Sequence, residues 1–261
     1  MATYLDAILS YHRRRCMDDS RPLDGLMAHC KVVPAGPSFE SALRAPGLGI
    51  IAEIKRRSPS RGSMTTTDVV PAEVAGEYCK GGAAAISVLT DTPHFGGELG
   101  DLRDVAAVVD IPVLRKDFLL TERDLCDARI NGASAALIIA SAMDRPALER
   151  LIGFSAQIGL ELLLEVHDPA EIAGVDLVGL GFHGAIGINQ RDLVTFEVDP
   201  KRALAYRERL SDVFPVVAES GIQGPADAQV LAAGGYDAIL VGEHLMRAGD
   251  RAGMVRTLRG Y

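Results

Sequence analysis

Short apolar segments that alternate with segments of helical periodicity constrain this chain more than any other feature. Eight such segments occur, each bounded by turn residues, at 49–55, 83–89, 112–116, 135–140, 161–166, 185–189, 215–219 and 238–242. Segments such as AALIIA and ELLLEV are apolar on both faces, which is typical of parallel strands covered by helices. Eight strands are the number that closes a barrel in which a helix follows each strand.

Helix start and stop signals lie between several of these segments. DVVP, TERD and GPAD (68–71, 121–124 and 224–227) are typical helix beginnings, and KGG, NG and GG (80–82, 131–132 and 234–235) typical endings. Strand followed by helix predicts right-handed crossovers and a parallel sheet. We predict an α/β fold, a (β/α)8 TIM barrel. An open doubly wound sheet is disfavoured because no G-x-G-x-x-G follows the first strand and polar residues mark many strand ends.

The barrel segments begin only near residue 48. We therefore predict one domain over 1–261, with an N-terminal helical extension at about 1–47 and the barrel at about 48–261. Leu5, Ile8, Leu9 and His12 recur at helical spacing, which predicts an amphipathic helix against the barrel. The basic run at 12–15 is expected to be a solvated face at the end of that helix.

Composition narrows the class of protein. No apolar run approaches the ~20 residues of a membrane helix, and the early arginines follow the apolar residues instead of preceding them, so we expect a cytoplasmic protein without a membrane partner. The net charge of −8 disfavours nucleic-acid binding but allows a local basic pocket for a small anion. The cysteines lack zinc or disulfide spacing and are interpreted as reduced thiols: Cys16, Cys30, Cys79 and Cys126.

Charged and polar residues collect at the carboxyl ends of the predicted strands, where barrels of this kind carry their chemistry. They are Glu53, Lys55, Lys116, Glu165, Asn189, Arg191 and Glu219. For a single pair, such as Glu53 with Lys55, a structural ion pair remains an alternative. For the whole set we favour acids and bases that act on a substrate, because packed apolar residues often stabilise a core as well as buried charges do.

Glycines after the seventh and eighth strands indicate a phosphorylated substrate. AESGI (218–222) and VGEH (241–244) occupy the two positions where loops frequently bind phosphate through backbone N–H groups, although each glycine alone could simply end a strand. Ser58-Pro59-Ser60 adds hydroxyls near the same rim, unless it is a plain turn. His12, His29, His94 and His183 lack a second ligand at metal spacing, so no metal is predicted.

Seven motifs carry a resemblance to a known family. They are AEIKRRSPSRG (52–62), SVLTD (87–91), VLRKDF (113–118), LLLEVHD (162–168), IGINQRDL (186–193), VAESGI (217–222) and VGEHLM (241–246). With these motifs in this order, the chain from about residue 48 to its carboxyl end resembles the indole-3-glycerol phosphate synthases of tryptophan biosynthesis. The helices before residue 48 also resemble that family's amino-terminal extension.

The resemblance implies a carboxy-lyase without metal or organic cofactor. Its substrate is a small phosphorylated anion, 1-(2-carboxyphenylamino)-1-deoxyribulose 5-phosphate, which undergoes ring closure and loses CO₂ and water. Lys116 would be the general acid in ring closure, and Lys55 would engage the substrate carboxylate and deliver a proton in dehydration. Glu165 would be the main acid–base carboxylate with support from Glu53. How the two lysines divide the work stays open.

The remaining site residues also come from the resemblance. Asn189 and Glu219 would complete the catalytic set as polar positioning groups, and Arg191 would bind substrate. The phosphate would lie against Ser58, Ser220, Gly221, Gly242 and the amide of Glu243, and the aromatic ring against Phe95 and Phe118. Neighbouring cations and partial burial are expected to lower a lysine pKa towards neutrality. The family commonly has Asn and Ser where this chain has Gln190 and His244, and it often has a Gly-Ser pair after the phenylalanine where this chain reads Gly96-Gly97-Glu98.

Three other functions are compatible with such a barrel. A Schiff-base aldolase would use Lys55 or Lys116 as a nucleophile. A phosphoribosylanthranilate isomerase would handle a similar substrate, but the paired lysines and the extension fit it less well. A sugar-phosphate binding barrel without activity would not need Lys116 and Glu165. We favour the synthase, and oligomeric state cannot be predicted.

Overall fold

A computed structural model describes residues 4–58, 62–63, 69–192, 194–195 and 197–260, and in it eight parallel strands close into a barrel. The strands are β1 Gly49–Ile54, β2 Ala85–Leu89, β3 Val113–Lys116, β4 Ala135–Ile139, β5 Glu161–Val166, β6 Gly184–Asn189, β7 Val216–Glu219 and β8 Ala238–Val241. Each strand pairs with the next, and β1 pairs with β8. The predicted TIM barrel is confirmed, and every predicted strand lies within two residues of its observed bounds.

Helices surround the strands, and several of them begin and end at the predicted start and stop signals. The helices are α4 Pro71–Lys80, α5 Thr92–Phe95, α6 Leu99–Ala106, α7 Glu122–Ile130, α8 Arg145–Gln157, α9 Arg202–Tyr206, α10 Pro225–Ala233, α11 Glu243–Met246 and α12 Arg251–Arg259. The Thr121 hydroxyl accepts the backbone N–H of Asp124 and caps α7 as predicted. Val70 is the N-cap of α4, whereas Asp68 lies outside the described residues.

The fifth crossover departs from the regular pattern. Between β5 and β6 the chain forms a 3₁₀ turn at Pro169–Ile172 followed by irregular backbone in place of an α-helix. Gly174 and Gly181 have φ values of +74° and +73°, which an α-helix does not accommodate. The helical segment expected after this strand is therefore reduced to a short turn.

Three further helices precede the barrel: α1 Tyr4–Asp18, α2 Leu23–Val32 and α3 Phe39–Leu43. The last of these closes the amino end of the barrel, because its Phe39 and Leu43 are buried among side chains of the barrel interior. Glu40 fixes its position: the Gly184 N–H donates to Glu40, and the Glu40 N–H donates to Glu161. Both partners stand at the first residue of a strand, so α3 covers the end opposite to the predicted site.

The first helix lies at the other, carboxyl end of the barrel. Ile8 and Leu9 are buried there, which confirms the predicted amphipathic contact. The expectation that the basic run at 12–15 is a solvated face was wrong for His12, which is 2% exposed, while Arg15 is half-buried. Arg15 forms an ion pair of 2.7 Å with Asp124, and together with Arg115 it compensates the charge of this buried carboxylate. Among the described residues, no helix combines the length and apolar character of a membrane span.

Candidate active site

A cavity of about 750 Å³ opens at the carboxyl ends of the strands. This volume lies in the range of small-molecule binding sites. Its lining includes these residues predicted from the sequence: Glu53, Lys55, Phe95, Lys116, Phe118, Glu165, Asn189, Arg191, Glu219, Ser220, Gly221, Gly242 and Glu243. Ser58 belongs to a two-residue strand that pairs with Gly62–Ser63, but its side chain lies outside the described part of the chain, as do Pro59 and Ser60.

Lys116 lies between two buried glutamates at the centre of the cavity. Its Nζ is 2.7 Å from Glu219 Oε2 and 3.2 Å from Glu165 Oε2. The three residues stand at or next to the last positions of β3, β5 and β7, so the strand ends bring them together although they are far apart in the sequence. An ammonium bridging two carboxylates holds a proton donor and two acceptors within hydrogen-bond distance of one another.

The carboxylates decide the charge of Lys116. Burial alone would lower the pKa of this lysine, but Glu219, Glu165 and Glu53 together outweigh burial and raise it above the ordinary value. The expectation of a lysine pKa lowered by neighbouring cations is therefore wrong for Lys116, because the nearest charges are negative. The amine remains a charged ammonium in the free protein.

The two glutamates next to Lys116 differ in proton affinity. Burial raises the pKa of Glu219 to about 8, and the charge of Glu165 adds to this effect while Lys116 opposes it. Burial also acts to raise the pKa of Glu165, yet Lys116, His167 and the Asn189 amide lower it below the ordinary value. Two carboxyl groups on one ammonium thus divide into an ionised group, Glu165, and a group that holds a proton near neutrality, Glu219.

This difference predicts a pH-dependent stability. The pKa of Glu219 rises from 4.5 to about 8 on folding, so between these values the folded protein binds more protons than the unfolded chain. Its stabilising contribution is present below about pH 4.5 and is lost as the pH rises towards about pH 8. Thermal unfolding should therefore show wild type losing Tm relative to Glu219→Gln across this window. An unchanged Tm difference would contradict the assignment, and the exposed-site variant Glu208→Gln is the control.

A second ion pair, between Lys55 and Glu53, lies at the edge of β1. Lys55 Nζ is 2.8 Å from Glu53 Oε1, and Glu53 is 4% exposed. Both side chains cross the loop that follows β8, because a Cβ atom built on Gly242 would lie 2.2 Å from Glu53 Oε1 and 2.9 Å from Lys55 Nζ. Gly242 therefore leaves the space that this ion pair occupies, in addition to offering its backbone.

Gly242→Ala should displace the pair and lower kcat/KM by about 10²-fold, since shifts near 1 Å in a catalytic group have costs of this size. Steady-state kinetics measures the loss, and circular dichroism checks the fold. Gly153→Ala is the matched control, because a Cβ there meets nothing within 4 Å. Equal kinetics for the two variants would show that the position of the pair is not important for turnover.

Asn189 orients Glu165 at the end of β6. Its Nδ2 donates to Glu165 Oε1 at 2.9 Å, and its Oδ1 accepts the Arg191 N–H at 2.9 Å. Asn189 pairs with Glu219 in the strand register, which places both at the same level of the barrel. Gly187 lies two residues before Asn189 on β6. It leaves space for the Glu219 side chain, because a Cβ on Gly187 would lie 2.1 Å from Glu219 Oε1.

The loop after β7 has an unusual backbone. Ser220 is the one residue other than glycine with positive φ in the described part of the chain, at +67°, and Gly221 follows at +76°. Gln190, which replaces the family's common asparagine, donates from Nε2 to the Ser220 carbonyl at 2.8 Å. Residues other than glycine that are held at positive φ cluster at functional sites. This backbone is consistent with a loop whose N–H groups must face a ligand.

An apolar wall faces the charged residues across the cavity. Phe95 and Phe118 have ring centroids 6.4 Å apart, and the His12 ring lies 5.5 Å from Phe118. Leu5 and Ile8 of α1 also line the cavity, so the extension forms part of the site. Glu98, which would be unfavourable beside an anion, is instead the N-cap of α6, and its N–H donates to Asp101 at 3.1 Å.

Several lining residues were not identified from the sequence as parts of the site. They are Leu5, Ile8, Gln223 and Arg247, together with His244, whose role was left open. The apolar spacing of α1 indicated a helix but not which end of the barrel it covers. Gln190 stands where the family commonly has asparagine. This difference was the one sequence signal that pointed to the residue whose side chain bonds the Ser220 carbonyl.

Comparisons with known proteins show the family of this chain. The family model described as indole-3-glycerol phosphate synthase matches residues 5–258. The indole-3-glycerol phosphate synthase 2 of Streptomyces coelicolor is 42% identical over 253 residues, covering 95% of this chain and 93% of that protein. The indole-3-glycerol phosphate synthase of Mycolicibacterium smegmatis is 41% identical over 259 residues, covering 98% and 94%.

Two solved structures share the fold. A 3-hexulose-6-phosphate synthase superposes with a TM-score of 0.61 at 17% identity, covering 82% of this chain and 99% of its own. A thiamine phosphate pyrophosphorylase from Pyrococcus furiosus gives 0.59 at 18% identity, covering 84% and 96%. At such low identity these structures bear on the barrel and not on the reaction.

Proposed function

The chain belongs to the indole-3-glycerol phosphate synthase family, and from that premise we propose how its cavity converts 1-(2-carboxyphenylamino)-1-deoxyribulose 5-phosphate into indole-3-glycerol phosphate, CO₂ and water. The observation that carries the proposal is the contact of Lys116 with Glu165 and Glu219 inside one cavity. The reaction classifies the protein as a carboxy-lyase. It needs an acid for each oxygen that is protonated and a base for the carbon-bound hydrogen that is removed.

Ring closure is the first step. The ring carbon that bears the carboxylate attacks the substrate carbonyl, and the carbonyl oxygen accepts a proton from Lys116 as the carbon–carbon bond forms. The carboxylates that raise the pKa of Lys116 keep it protonated beforehand. The developing alkoxide is a stronger base than the amine, so transfer remains favourable. Glu165, the ionised glutamate of the pair, then stabilises the protonated lysine when it is restored.

Loss of CO₂ restores the aromatic ring, and dehydration follows. Lys55 is placed to hold the substrate carboxylate before it leaves and to protonate the departing hydroxyl afterwards. Glu165, which is ionised and oriented by Asn189, removes the proton from the adjacent carbon so that the double bond of the indole forms. Glu53 supports Lys55 at 2.8 Å.

The substrate's phosphate and ring fit opposite walls of the cavity. The backbone amides near Ser220, Gly221, Gly242 and Glu243 would bind the phosphate, with Ser58 from the first loop and Arg191 as an additional cation. Phe95 and Phe118 would contact the aromatic ring. The proposal uses side-chain acids and bases and no cofactor. Residues 1–261 would act as one domain in the cytoplasm, a reducing compartment in which the four thiols stay free.

A Schiff-base mechanism is disfavoured by the same site. An amine attacks a carbonyl only when it is unprotonated, and the negative charge around Lys116 raises its pKa and holds it as an ammonium. Borohydride added with substrate would trap an iminium if one formed. We expect no covalent adduct.

Turnover tests the function directly. The purified protein, mixed with the carboxyphenylamino-deoxyribulose phosphate, should develop indole fluorescence and release one CO₂ for each indole formed. Phosphoribosylanthranilate should not be isomerised by the same preparation. A folded protein that binds the substrate without forming indole would contradict the proposed reaction and favour a sugar-phosphate binding protein.

A further inference from the structure

A cluster of two histidines and one aspartate joins the extension to the barrel outside the catalytic residues. His12 lies on α1, and Asp91 and His94 lie at the start of α5, after β2. His12 Nε2 is 2.9 Å from Asp91 Oδ1, and His94 Nδ1 is 3.2 Å from the same oxygen. Ligand spacing along the sequence did not predict this cluster, because the two histidines are far apart in the chain and only the fold brings them together.

The geometry is that of a cation site. One ligand atom from each residue lies within 4.8 Å of the other two. Zinc bonds of about 2.0–2.2 Å in a tetrahedron place neighbouring ligand atoms about 3.3–3.6 Å apart. The contacts of Oδ1 with the two rings, at 2.9 and 3.2 Å, are shorter by a few tenths of an ångström, so the rings must move slightly apart to admit an ion. Small rotations of the imidazoles would let all three atoms face one ion.

The other oxygen of Asp91 is already committed. Asp91 Oδ2 accepts the backbone N–H groups of His94 and Phe95 at 2.9 and 3.2 Å, which holds the carboxylate in place as the cap of α5. His94 Nδ1 also lies 3.0 Å from Oδ2, so this ring contacts both oxygens of Asp91, and Oδ1 is the oxygen that both histidines contact. Metal-binding carboxylates are commonly oriented by such hydrogen bonds. Asp91 is therefore a preorganised ligand.

Access and a fourth ligand are also available. The His94 side chain is 17% exposed whereas that of Asp91 is fully buried, so an ion can enter from the His94 side. Asp117 Oδ1 lies 3.9 Å from His12 Nε2 and could complete the coordination, as could a water molecule. Two imidazoles with one or two carboxylates form a donor set that suits Zn²⁺.

We propose that His12, Asp91 and His94 bind one divalent cation of the Zn²⁺ class, which fastens α1 to the rim of the barrel. The role is structural and independent of the reaction proposed above. The site nevertheless adjoins the cavity, because Leu5 and Ile8 of α1 line the cavity and the His12 ring contacts Phe118. The competing explanation is a hydrogen-bonded network in which both imidazoles donate to Asp91 without an ion.

Metal titration separates the two explanations. The full chain, with any affinity tag removed, is stripped with a chelator and titrated with Zn²⁺ by calorimetry, and Tm is recorded with and without the metal. We expect one saturable site per chain and a higher Tm with Zn²⁺, since a ligand that binds only the folded state stabilises it. Co²⁺ in place of Zn²⁺ should give the visible absorption bands of a tetrahedral site.

His94→Gln and His183→Gln provide the matched comparison. His94 is partly exposed, so its substitution should leave the fold intact, and His183 is an exposed histidine outside the cluster. The first variant should lose at least about tenfold in Zn²⁺ affinity and the Tm gain, and the second should keep both. Absence of saturable binding in wild type, or equal binding in the two variants, would overturn the proposal in favour of the metal-free network. The synthase reaction is tested separately by turnover, so either result of the metal titration leaves that proposal unchanged.

Discussion

Replacing Lys116 with methionine is expected to lower kcat by about 10²–10⁴-fold, the contribution typical of a general acid. The substitution keeps an unbranched chain but removes the ammonium that contacts Glu165 and Glu219. Without this donor the carbonyl oxygen would become an alkoxide in a cavity that already holds carboxylates. Indole fluorescence under saturating substrate measures the loss.

Lys31→Met is the control for this variant, because Lys31 is an exposed lysine on α2. Circular dichroism and Tm must be recorded for both proteins, since the two glutamates lose their common cation in Lys116→Met and stability will fall as well. A folded Lys116→Met protein with near-normal kcat would remove Lys116 from the mechanism.

Replacing Glu165 with glutamine is expected to reduce kcat by a similar factor of about 10²–10⁴. The amide can still accept the hydrogen bond from Asn189 Nδ2, so the geometry is preserved while the base is lost. The substitution also removes one of the negative charges that raise the pKa of Lys116. The residual activity should therefore show an altered pH profile as well as a lower maximum.

Glu208→Gln, at an exposed position, should leave both the rate and the pH profile unchanged. The two outcomes for Glu165→Gln differ in meaning. A lower kcat with an unaltered KM supports a role in the chemical step. A higher KM with unaltered kcat would make Glu165 a binding residue and leave the proton acceptor unassigned.

The strands were predictable because their signals are local. Alternation between apolar segments and turn residues depends on neighbours a few positions away, and the observed bounds of all eight strands stay within two residues of those expected. The charged residues at strand ends were also predictable, since the carboxyl ends of parallel strands meet on one face. Glu53 and Glu165 entered the expected site for this reason.

The electrostatics could not be predicted in the same way. The direction of the Lys116 pKa depends on which charges lie within a few ångströms, and Glu219 is the closest of them at 2.7 Å. A sequence shows that acids and bases share a rim but not which pairs touch. The proton held by Glu219 near neutrality likewise follows from burial and from the proximity of Glu165.

The amino-terminal extension was predicted to be helical, but its contacts with both ends of the barrel were not predicted. Phe39 and Leu43 close the amino end of the barrel, whereas Ile8 reaches the cavity at the other end. Helical periodicity shows which face is apolar, but not what that face covers. The burial of His12 beside Asp91 depends on this docking and could not be inferred from a run of basic residues.

A crystal structure with a substrate analogue whose carbonyl is reduced to an alcohol tests the central claim most directly. The analogue cannot close the ring, so it should report how the substrate lies. We expect its phosphate within about 2.7–3.2 Å of the amides around Gly221 and Glu243, and its hydroxyl within the same distance of Lys116 Nζ. A phosphate bound elsewhere, or a hydroxyl directed away from Lys116, would contradict the claim that Lys116 protonates the carbonyl oxygen of a substrate held by these amides.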